Sequence, residues 1–451
     1  MIHQHVSNPR RGLRPAVFRK YFFPISLMLL CGFSLLAGCQ LQNIITQQGE
    51  PTATSTMSSS PAASLTPDPA QPSAAIAPLT TLVLWLPPQL DPSDGSLAGA
   101  ILQERLDNFE QEHPQYEVEV RIKALQGEGG MESALESASS IAPAALPSLV
   151  ALPYSTMDSA AAKNLLDPIS SETLGINDPD WLPYTRDIVK IDNLAYGVPF
   201  GADALVLAYR PLLVPDPPTT WEGIVNQEQF VSFPAADQEA AVITQMYLSA
   251  GGNLENDDGT PVLESGPLQN TLQVLQEGAQ RDVFPAWIAG YSSFEESWQP
   301  FLNQQAYYSI IWSSLYLRQP QVNVAITKVP HMDDESVTLL QGWLWCVPAY
   351  STTSDQDSLL LLEYLSDPAF ANRWAQAAGY LPVRESGLES WRDLPDAQFV
   401  MDLARSNEMI PFRARNEIIT PMLQNAAVQI IMKQAYYQTV LDDIMSHFQV
   451  K

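Results

Sequence analysis

After residue 78, segments whose apolar residues have the spacing of a β-strand alternate with segments whose apolar residues have the spacing of an α-helix. Thr80–Leu86 is a short apolar, β-prone run that predicts a buried strand, and two prolines end it. Apolar residues then recur at helical spacing over Leu97–Glu112, and Tyr116–Ile122 alternates as a strand does. A strand–helix–strand opening is typical of a parallel sheet with right-handed crossovers.

The rest of the pattern predicts further elements of both kinds. Helices are expected over Met131–Ser140, Ala160–Leu166, Gln238–Ala250, Pro267–Arg281, Trp298–Gln304, Ser354–Leu365, Pro368–Ala378, Ala397–Ser406 and Ile418–Phe448. Strands are expected over Leu146–Leu152, Tyr307–Trp312, Val322–Val329 and Leu339–Val347. Strands and helices alternate early in the chain and the later part is rich in helices, which indicates the α/β class.

An apolar, β-prone run in the middle of the chain, Leu194–Arg210, contains one carboxylate, Asp203. Small residues flank this carboxylate, with Gly201 and Ala202 before it and Ala204 after it. An unpaired buried charge is costly. Asp203 is therefore expected either to hold a cation of its own chain or to face a hydrated cleft.

The first 38 residues have the pattern of an export signal. Basic residues precede an apolar segment, Tyr21–Leu36, and the segment closes with Leu36-Ala37-Gly38-Cys39. This ending resembles a bacterial lipobox, which implies cleavage before Cys39 and lipidation of its thiol. The alternative is a transmembrane anchor, but the apolar segment is shorter than the roughly 20 residues of a spanning helix. Residues 39–78 are rich in Ser, Thr, Pro and Ala, which predicts a disordered tether.

Charge and cysteine content narrow the possible functions. The chain has 23 Lys and Arg against 50 Asp and Glu, and its net charge of −27 argues against binding nucleic acid or anionic lipid. An alternative explanation of the negative charge is that it keeps an exported protein soluble. Of the three cysteines only Cys346 lies in the predicted folded part, so no disulfide is expected there.

Motifs for catalysis or metal binding are missing from the sequence. It has no His-x-x-x-His pair, no Gly-x-Ser-x-Gly elbow and no phosphate-binding loop. Asp257-Asp258-Gly259 does not complete a calcium loop and predicts a turn, and Asp333-Asp334-Glu335 predicts a solvated loop. No metal or cofactor is therefore expected. Because a glycosidase needs only two carboxylates, a secreted carbohydrate-active hydrolase stays open as an alternative.

Several short blocks stand in a fixed order along the chain: Leu82–Trp85, Phe109–Pro114, Leu146–Val150, Asn164–Pro168, Tyr196–Phe200, Pro217–Glu222, Gly251-Gly252, Gly342-Trp343 and Gly379–Arg384. In this order they resemble the extracellular solute-binding proteins of bacterial ABC importers, in particular the carbohydrate-binding group that includes maltose-binding protein. The resemblance covers nearly the whole chain from residue 79 onward. Thr420-Pro421-Met422 stands where that group has an aromatic platform, which argues against maltodextrin as ligand.

The resemblance implies a two-lobed periplasmic-binding-protein-like α/β fold of type II, with a hinge of several strands. The first part of lobe 1 would span residues 79–198 and that of lobe 2 residues 199–330, with residues 331–451 completing both. It implies a monomeric, lipid-anchored receptor on the outer face of the cell membrane. Such a receptor would capture a sugar or oligosaccharide and deliver it to an ABC permease. A polyamine or peptide ligand, or a receptor without a transporter, remains an alternative.

The resemblance also implies ligand-binding residues. Asp203 stands where the family often has a carboxylate that accepts hydrogen bonds from sugar hydroxyls, with an internal salt bridge as the alternative. Aromatic candidates at strand ends or nearby are Trp85, Tyr154, Trp312, Trp343 and Tyr380, each of which could instead belong to the core. Trp312 follows its predicted strand without the glycine that the family has there.

Overall fold

The computed structural model describes residues 79–448 except 126, 128, 171–174, 176, 192–193, 257–259, 333–335, 395, 407–408 and 412–417. The predicted export signal, Cys39 and the tether lie outside the described residues, as do the acidic segments Asp257–Gly259 and Asp333–Glu335. Within the described part, no helix combines the length and apolar character needed to cross a bilayer.

Strands of both directions form a mixed sheet. The strands are β1 (Thr80–Leu86), β2 (Tyr116–Ile122), β3 (Leu149–Pro153), β4 (Lys190–Ile191), β5 (Leu194–Ala195), β6 (Val198–Tyr209), β7 (Val231–Ser232), β8 (Tyr308–Trp312), β9 (Ala325–Lys328), β10 (Thr338–Cys346) and β11 (Met409–Pro411). The main sheet has the order β2-β1-β3-β10-β6-β8-β7, with β11 paired to β10 and β9 to β6. β1 is parallel to both β2 and β3, which confirms the predicted opening.

Helices cover the sheet. They are α1 (Leu97–Glu112), α2 (Met131–Ile141), α3 (Tyr154–Ala162), α4 (Pro183–Ile188), α5 (Trp221–Asn226), α6 (Ala241–Ser249), α7 (Ser265–Gln280), α8 (Phe294–Leu302), α9 (Ser313–Leu317), α10 (Asp355–Leu365), α11 (Pro368–Ala378), α12 (Glu385–Leu388), α13 (Ala397–Arg405), α14 (Ile419–Ile431) and α15 (Tyr437–Phe448). The α/β class is thereby confirmed.

The largest differences from the predicted helix bounds occur at two places. The single helix expected over Ile418–Phe448 is two helices, α14 and α15, because Lys433 has a left-handed backbone with φ 56°. The helix expected from Ala160 begins earlier, at Tyr154, and the chain turns at Asn164 with φ 56°. Local apolar spacing alone could not place these breaks.

β6 belongs to both halves of the sheet. Its first part pairs with β10 as far as Ala204, which lies opposite Leu340. From Leu205 onward its partners are β8 and β9, and Leu205 lies opposite Trp312. The strand thus changes its pairing partners between Ala204 and Leu205, directly after Asp203.

The first half of β6 is anchored by aromatic packing. Phe200 stacks on Trp345 with ring centroids 4.1 Å apart, and Trp374 of α11 lies 5.1 Å from the same ring. All three side chains are buried. This packing fixes the position of the strand segment that carries Asp203.

Candidate functional site

The strand register places three of the predicted site residues on one face of the sheet. Asp203 lies opposite Gln341, and two residues away on each strand Gly201 lies opposite Trp343. Trp312 lies opposite Leu205 on the next strand. Because side chains two apart along a strand share a face, Asp203, Trp343 and Trp312 point to the same side of the sheet.

Asp203 is held by two serines at the start of α9. Its Oδ1 accepts hydrogen bonds from Ser313 Oγ at 2.7 Å and from the backbone N–H of Ser314 at 2.9 Å. Its Oδ2 accepts one from Ser314 Oγ at 2.5 Å. The backbone N–H of Ala204 interacts with the same carboxylate, so groups of its own chain surround Asp203.

The carboxylate of Asp203 is 5% exposed and forms no ion pair with any described residue. Burial raises the pKa of Asp203 to about 6, although the serine hydrogen bonds oppose this shift. The sequence left open that Asp203 pairs with a Lys or Arg of its own chain. In the structure, the hydroxyl groups of two serines and a backbone N–H at the start of α9 bind the carboxylate instead.

Tyr380 completes an aromatic corner beside Asp203. Its ring lies 6.2 Å from that of Trp343 and stacks at 5.6 Å on that of Trp374. Burial, and then the negative charge of Asp203, raise the pKa of the Tyr380 hydroxyl above its ordinary range. The structure thus brings together Asp203, Trp343 and Tyr380 as neighbours.

The close approach of Tyr380 to β6 depends on Gly201. A Cβ atom at Gly201 would lie 3.2 Å from the Cβ of Tyr380. Next to it, Ala202 and Leu381 exchange two backbone hydrogen bonds of 3.0 and 2.6 Å. The segment after α11 is therefore fixed to β6 beside Asp203.

The sequence analysis missed a second acidic group at this site. The Gln341 side chain, opposite Asp203, donates a hydrogen bond of 3.3 Å to Glu239 Oε2. Burial and the charge of Asp237 raise the pKa of Glu239 to about 7. Asp237 itself accepts hydrogen bonds from the backbone N–H groups of Glu239 and Ala241, at the start of α6.

The sequence signal for Glu239 was its position among acidic residues directly before a helix. It was missed because the predicted helix began at Gln238, which placed Glu239 inside the helix.

We call Asp203, Glu239, Gln341, Trp343 and Tyr380, with the serines at the start of α9, the junction cluster. Its members come from β6, β10, the start of α6 and the segment after α11, and they meet beside the point where β6 changes its pairing partner.

Two predicted aromatic residues lie at the border of the junction cluster. Trp312 directly precedes the serines that hold Asp203, and its ring packs 5.6 Å from that of Phe294. Tyr154 begins α3 and is fully buried, one residue after Pro153, which pairs with Trp343.

Trp85 lies elsewhere, which corrects the expectation that its ring points into the same site. It pairs with Val150, which pairs with Cys346, three residues from Trp343. An odd separation along β10 puts the two tryptophans on opposite faces of the sheet. The Nζ of Lys123 lies 4.2 Å from the Trp85 ring centroid. The position of Trp85 near a strand end does not show to which face of the sheet its side chain points. The register of the paired strands does show it.

The junction cluster offers hydrogen-bond acceptors beside aromatic rings. Carboxylates accept strong, charge-assisted hydrogen bonds from hydroxyl or ammonium groups, and indole and phenol rings pack against apolar faces of a ligand. Within the described ranges, no group of three or more His, Cys, Asp or Glu side chains is placed to hold a metal ion.

Comparison with protein families found one matching family model. It is described as bacterial extracellular solute-binding protein, and it matches residues 104–398, which is more than half of the chain. A search of curated proteins found no significant match.

Solved structures share the fold at low sequence identity. The maltose-bound MalE3 of T. maritima is 18% identical, with a TM-score of 0.67 over 82% of this chain and 99% of that chain. The GacH receptor of Streptomyces glaucescens GLA.O, solved unliganded and with acarbose, is 15% identical, with a TM-score of 0.66 over 82% of this chain and 97% of that chain. A solute-binding protein of Thermotoga lettingae TMO, bound with alpha-D-tagatose, is 16% identical, with a TM-score of 0.65 over 81% and 98%.

Proposed function

The chain belongs to the family of bacterial extracellular solute-binding proteins, and on this premise we propose that it captures a sugar or oligosaccharide at the junction cluster. It acts as a receptor and not as an enzyme. Asp203, Glu239, Trp343 and Tyr380 contact the ligand, and Trp312 and Tyr154 border the site. Trp85 has no part in it.

The observation that carries this proposal is the meeting of two carboxylates with an aromatic corner at the lobe junction. Glu239 is partly exposed and points to Gln341, so its carboxylate can reach a molecule that lies between the lobes. The aromatic rings of Trp343 and Tyr380 lie nearby and are steeply inclined to each other, with an interplanar angle of 69°. A sugar presents hydroxyl donors at its edges and C–H groups on its faces, which matches this combination.

The passage of β6 between lobes gives the proposal its mechanism. A ligand that contacts Trp343 on β10 and reaches Trp312 at the end of β8 touches elements on either side of the strand's change of partner. Such a ligand stabilises whichever arrangement of the lobes lets it make both contacts, and it shifts the population toward that arrangement. An importer that binds this arrangement preferentially would distinguish the liganded protein from the unliganded one.

The sugars in the structures of similar fold support a carbohydrate ligand: maltose with MalE3 and alpha-D-tagatose with the protein of Thermotoga lettingae. We propose further that the protein is a monomer, held by a lipid on Cys39 at the outer face of the membrane, and that it delivers its ligand to an ABC permease. The lipobox-like sequence before Cys39 supports the anchor.

A thermal-shift screen tests the proposed ligand class. The purified protein is incubated with separate panels of neutral sugars, polyamines, amino acids and short peptides, and the melting temperature is recorded. We expect a rise only with members of the sugar panel. A rise only with polyamines or peptides would contradict the sugar assignment.

The hydrolase alternative is tested on the same samples. Sugars that raise the melting temperature are recovered after overnight incubation and analysed by mass spectrometry. A receptor returns them unchanged, whereas hydrolysed products in amounts above that of the protein would show turnover.

A further inference from the structure

A groove whose lining shares no residue with the junction cluster lies where α1, α9 and α11 meet. Helices α1 and α11 pack against each other, and α11 packs on β6. They meet the end of α9, which follows β8. The groove encloses about 370 Å³ and is lined by Leu97, Ile101, Leu317, Arg318, Pro320, Arg373, Gln376, Ala377, Trp391 and Leu394. We call it the α1–α9–α11 groove.

The charge of this groove is opposite to that of the protein. The chain has a net charge of −27, yet none of the groove-lining residues is acidic and two are arginines. Arg373 forms an ion pair of 3.0 Å with Glu104, which lies outside the lining. Arg318 is exposed and has no carboxylate partner among the residues that the structure describes. A groove with this charge attracts an anion.

The floor of the groove has a hydrogen-bond donor without a partner. Trp391 is 1% exposed, and its indole Nε1 has no acceptor among the described residues. A buried N–H without a partner costs free energy, so such a group calls for an explanation. Because this atom is shielded from solvent, it is not a contact for a molecule in the groove, and Trp391 contributes only its ring to the lining.

The walls of the groove are apolar. Leu97 is 67% exposed at one side, and Ile101, Leu317 and Leu394 add aliphatic surface. A small inorganic anion would leave this surface in contact with water, whereas an anion with an apolar body would cover it. The volume also falls in the range of small-molecule sites, roughly 300–1,000 Å³.

We propose that the α1–α9–α11 groove is a second ligand site, which binds an organic monocarboxylate with an aromatic or aliphatic body. Arg318, directly after α9, and Arg373 of α11 bind the carboxylate, and the aliphatic walls with the ring of Trp391 cover the body of the ligand. None of the groove residues belongs to the junction cluster, although Arg318 lies next to Gly379 and Tyr380.

Isothermal titration calorimetry with 2-naphthoate tests this site on the full chain without any sugar. The neutral isostere 2-naphthalenemethanol and inorganic sulfate are titrated in parallel. We expect 2-naphthoate to bind at least tenfold more tightly than either, a difference of about 1.4 kcal/mol or more. Equal affinity for the alcohol would overturn the role of charge, and equal affinity for sulfate would overturn the role of the apolar walls.

Variants locate the binding. Arg318→Met and Arg373→Met keep a long apolar side chain and remove the charge, and each is expected to weaken 2-naphthoate at least tenfold. The matched control is Arg392→Met, because Arg392 is exposed beside Trp391 but does not line the groove. Unchanged affinity in Arg318→Met, or equal loss in Arg392→Met, would refute the site even if every variant folds.

Discussion

Ser314 donates both its backbone N–H and its hydroxyl group to the carboxylate of Asp203, at 2.9 and 2.5 Å. Ser314 lies in α9, directly after β8, and Asp203 lies on β6 just before that strand begins to pair with β8. The contact therefore ties the start of α9 to the strand that pairs with both halves of the sheet. It also orients the carboxylate that we propose as a ligand contact.

Replacing Asp203 by Asn tests how much this contact contributes. The amide offers one oxygen acceptor where the carboxylate offers two, so at least one buried donor among Ser313 and Ser314 loses its partner. We expect a loss of about 1–3 kcal/mol in the free energy of unfolding, measured by urea denaturation. Glu136→Gln is the matched control, since Glu136 is exposed on α2. Wild-type stability in Asp203→Asn would show that these hydrogen bonds contribute nothing.

Stability should fall as the pH rises from about 4 to about 7. The pKa of Asp203 is raised to about 6 and that of Glu239 to about 7, mainly by burial. Between the ordinary carboxyl pKa of about 4 and these values, the folded chain holds protons that the unfolded chain has released. The free energy of unfolding then decreases with increasing pH.

Urea denaturation at several pH values between 4 and 8 measures this slope. Because Glu239→Gln removes one of the two titrating groups, its slope between pH 5 and 7 should be smaller than that of the wild type. The Glu136→Gln control should keep the wild-type slope. Identical slopes in Glu239→Gln and the wild type would contradict the raised pKa of Glu239.

The aromatic stack at Phe200 should be a major contributor to stability. Phe200 is 1% exposed between Trp345 and Trp374. Truncation of a buried Phe to Ala typically costs about 3–5 kcal/mol, and we expect Phe200→Ala to fall in this range by urea denaturation. Phe230→Ala is the control, because Phe230 is 40% exposed. A cost for Phe200→Ala as small as that for Phe230→Ala would exclude the anchoring role.

Substituting two glycines that have the same backbone conformation distinguishes the cost of backbone strain from the cost of steric crowding by a new Cβ atom. Gly95 and Gly379 both have φ 78°, but a Cβ at Gly95 would meet nothing within 4 Å. A Cβ at Gly379 would lie 2.4 Å from the backbone nitrogen of Arg318. Gly95→Ala should cost about 1–2 kcal/mol for the left-handed backbone. Gly379→Ala should cost roughly 1–3 kcal/mol more and should also weaken ligand binding, because it displaces Tyr380.

Denaturation and calorimetry on both glycine variants provide the readouts. Equal costs for the two substitutions would mean that α9 and the end of α11 are not in close contact. A loss of binding in Gly95→Ala would point to a general effect of destabilisation, since Gly95 is remote from Tyr380 in sequence and has open space around it.

Local sequence signals predicted the opening of the fold well. Pro87 and Pro114 delimit β1 and α1, and the bounds expected for Thr80–Leu86 and Leu97–Glu112 agree with the structure. The break at Lys433 was missed because α14 and α15 both continue an apolar helical pattern, and nothing local marks a left-handed residue there.

The candidate site was predictable only in part. Asp203 stood out as an acid in an apolar run, and family blocks pointed to Trp343 and Tyr380. Glu239 joins them through Gln341, a contact over 102 residues that no local pattern reveals. The face of Trp85 likewise follows from pairing β1 with β3 and β3 with β10, which is long-range information.

The central claim is that this protein binds a sugar through the junction cluster. Its most direct test is isothermal titration calorimetry at pH 7.5 with the neutral sugars that raise the melting temperature, for the wild type, Glu239→Gln and Glu136→Gln. The account predicts one site per chain with a Kd near the micromolar range, about −8 kcal/mol, at least tenfold weaker binding in Glu239→Gln, and no change in Glu136→Gln. Binding of no sugar at all, or equal affinity in the wild type and Glu239→Gln, would contradict it.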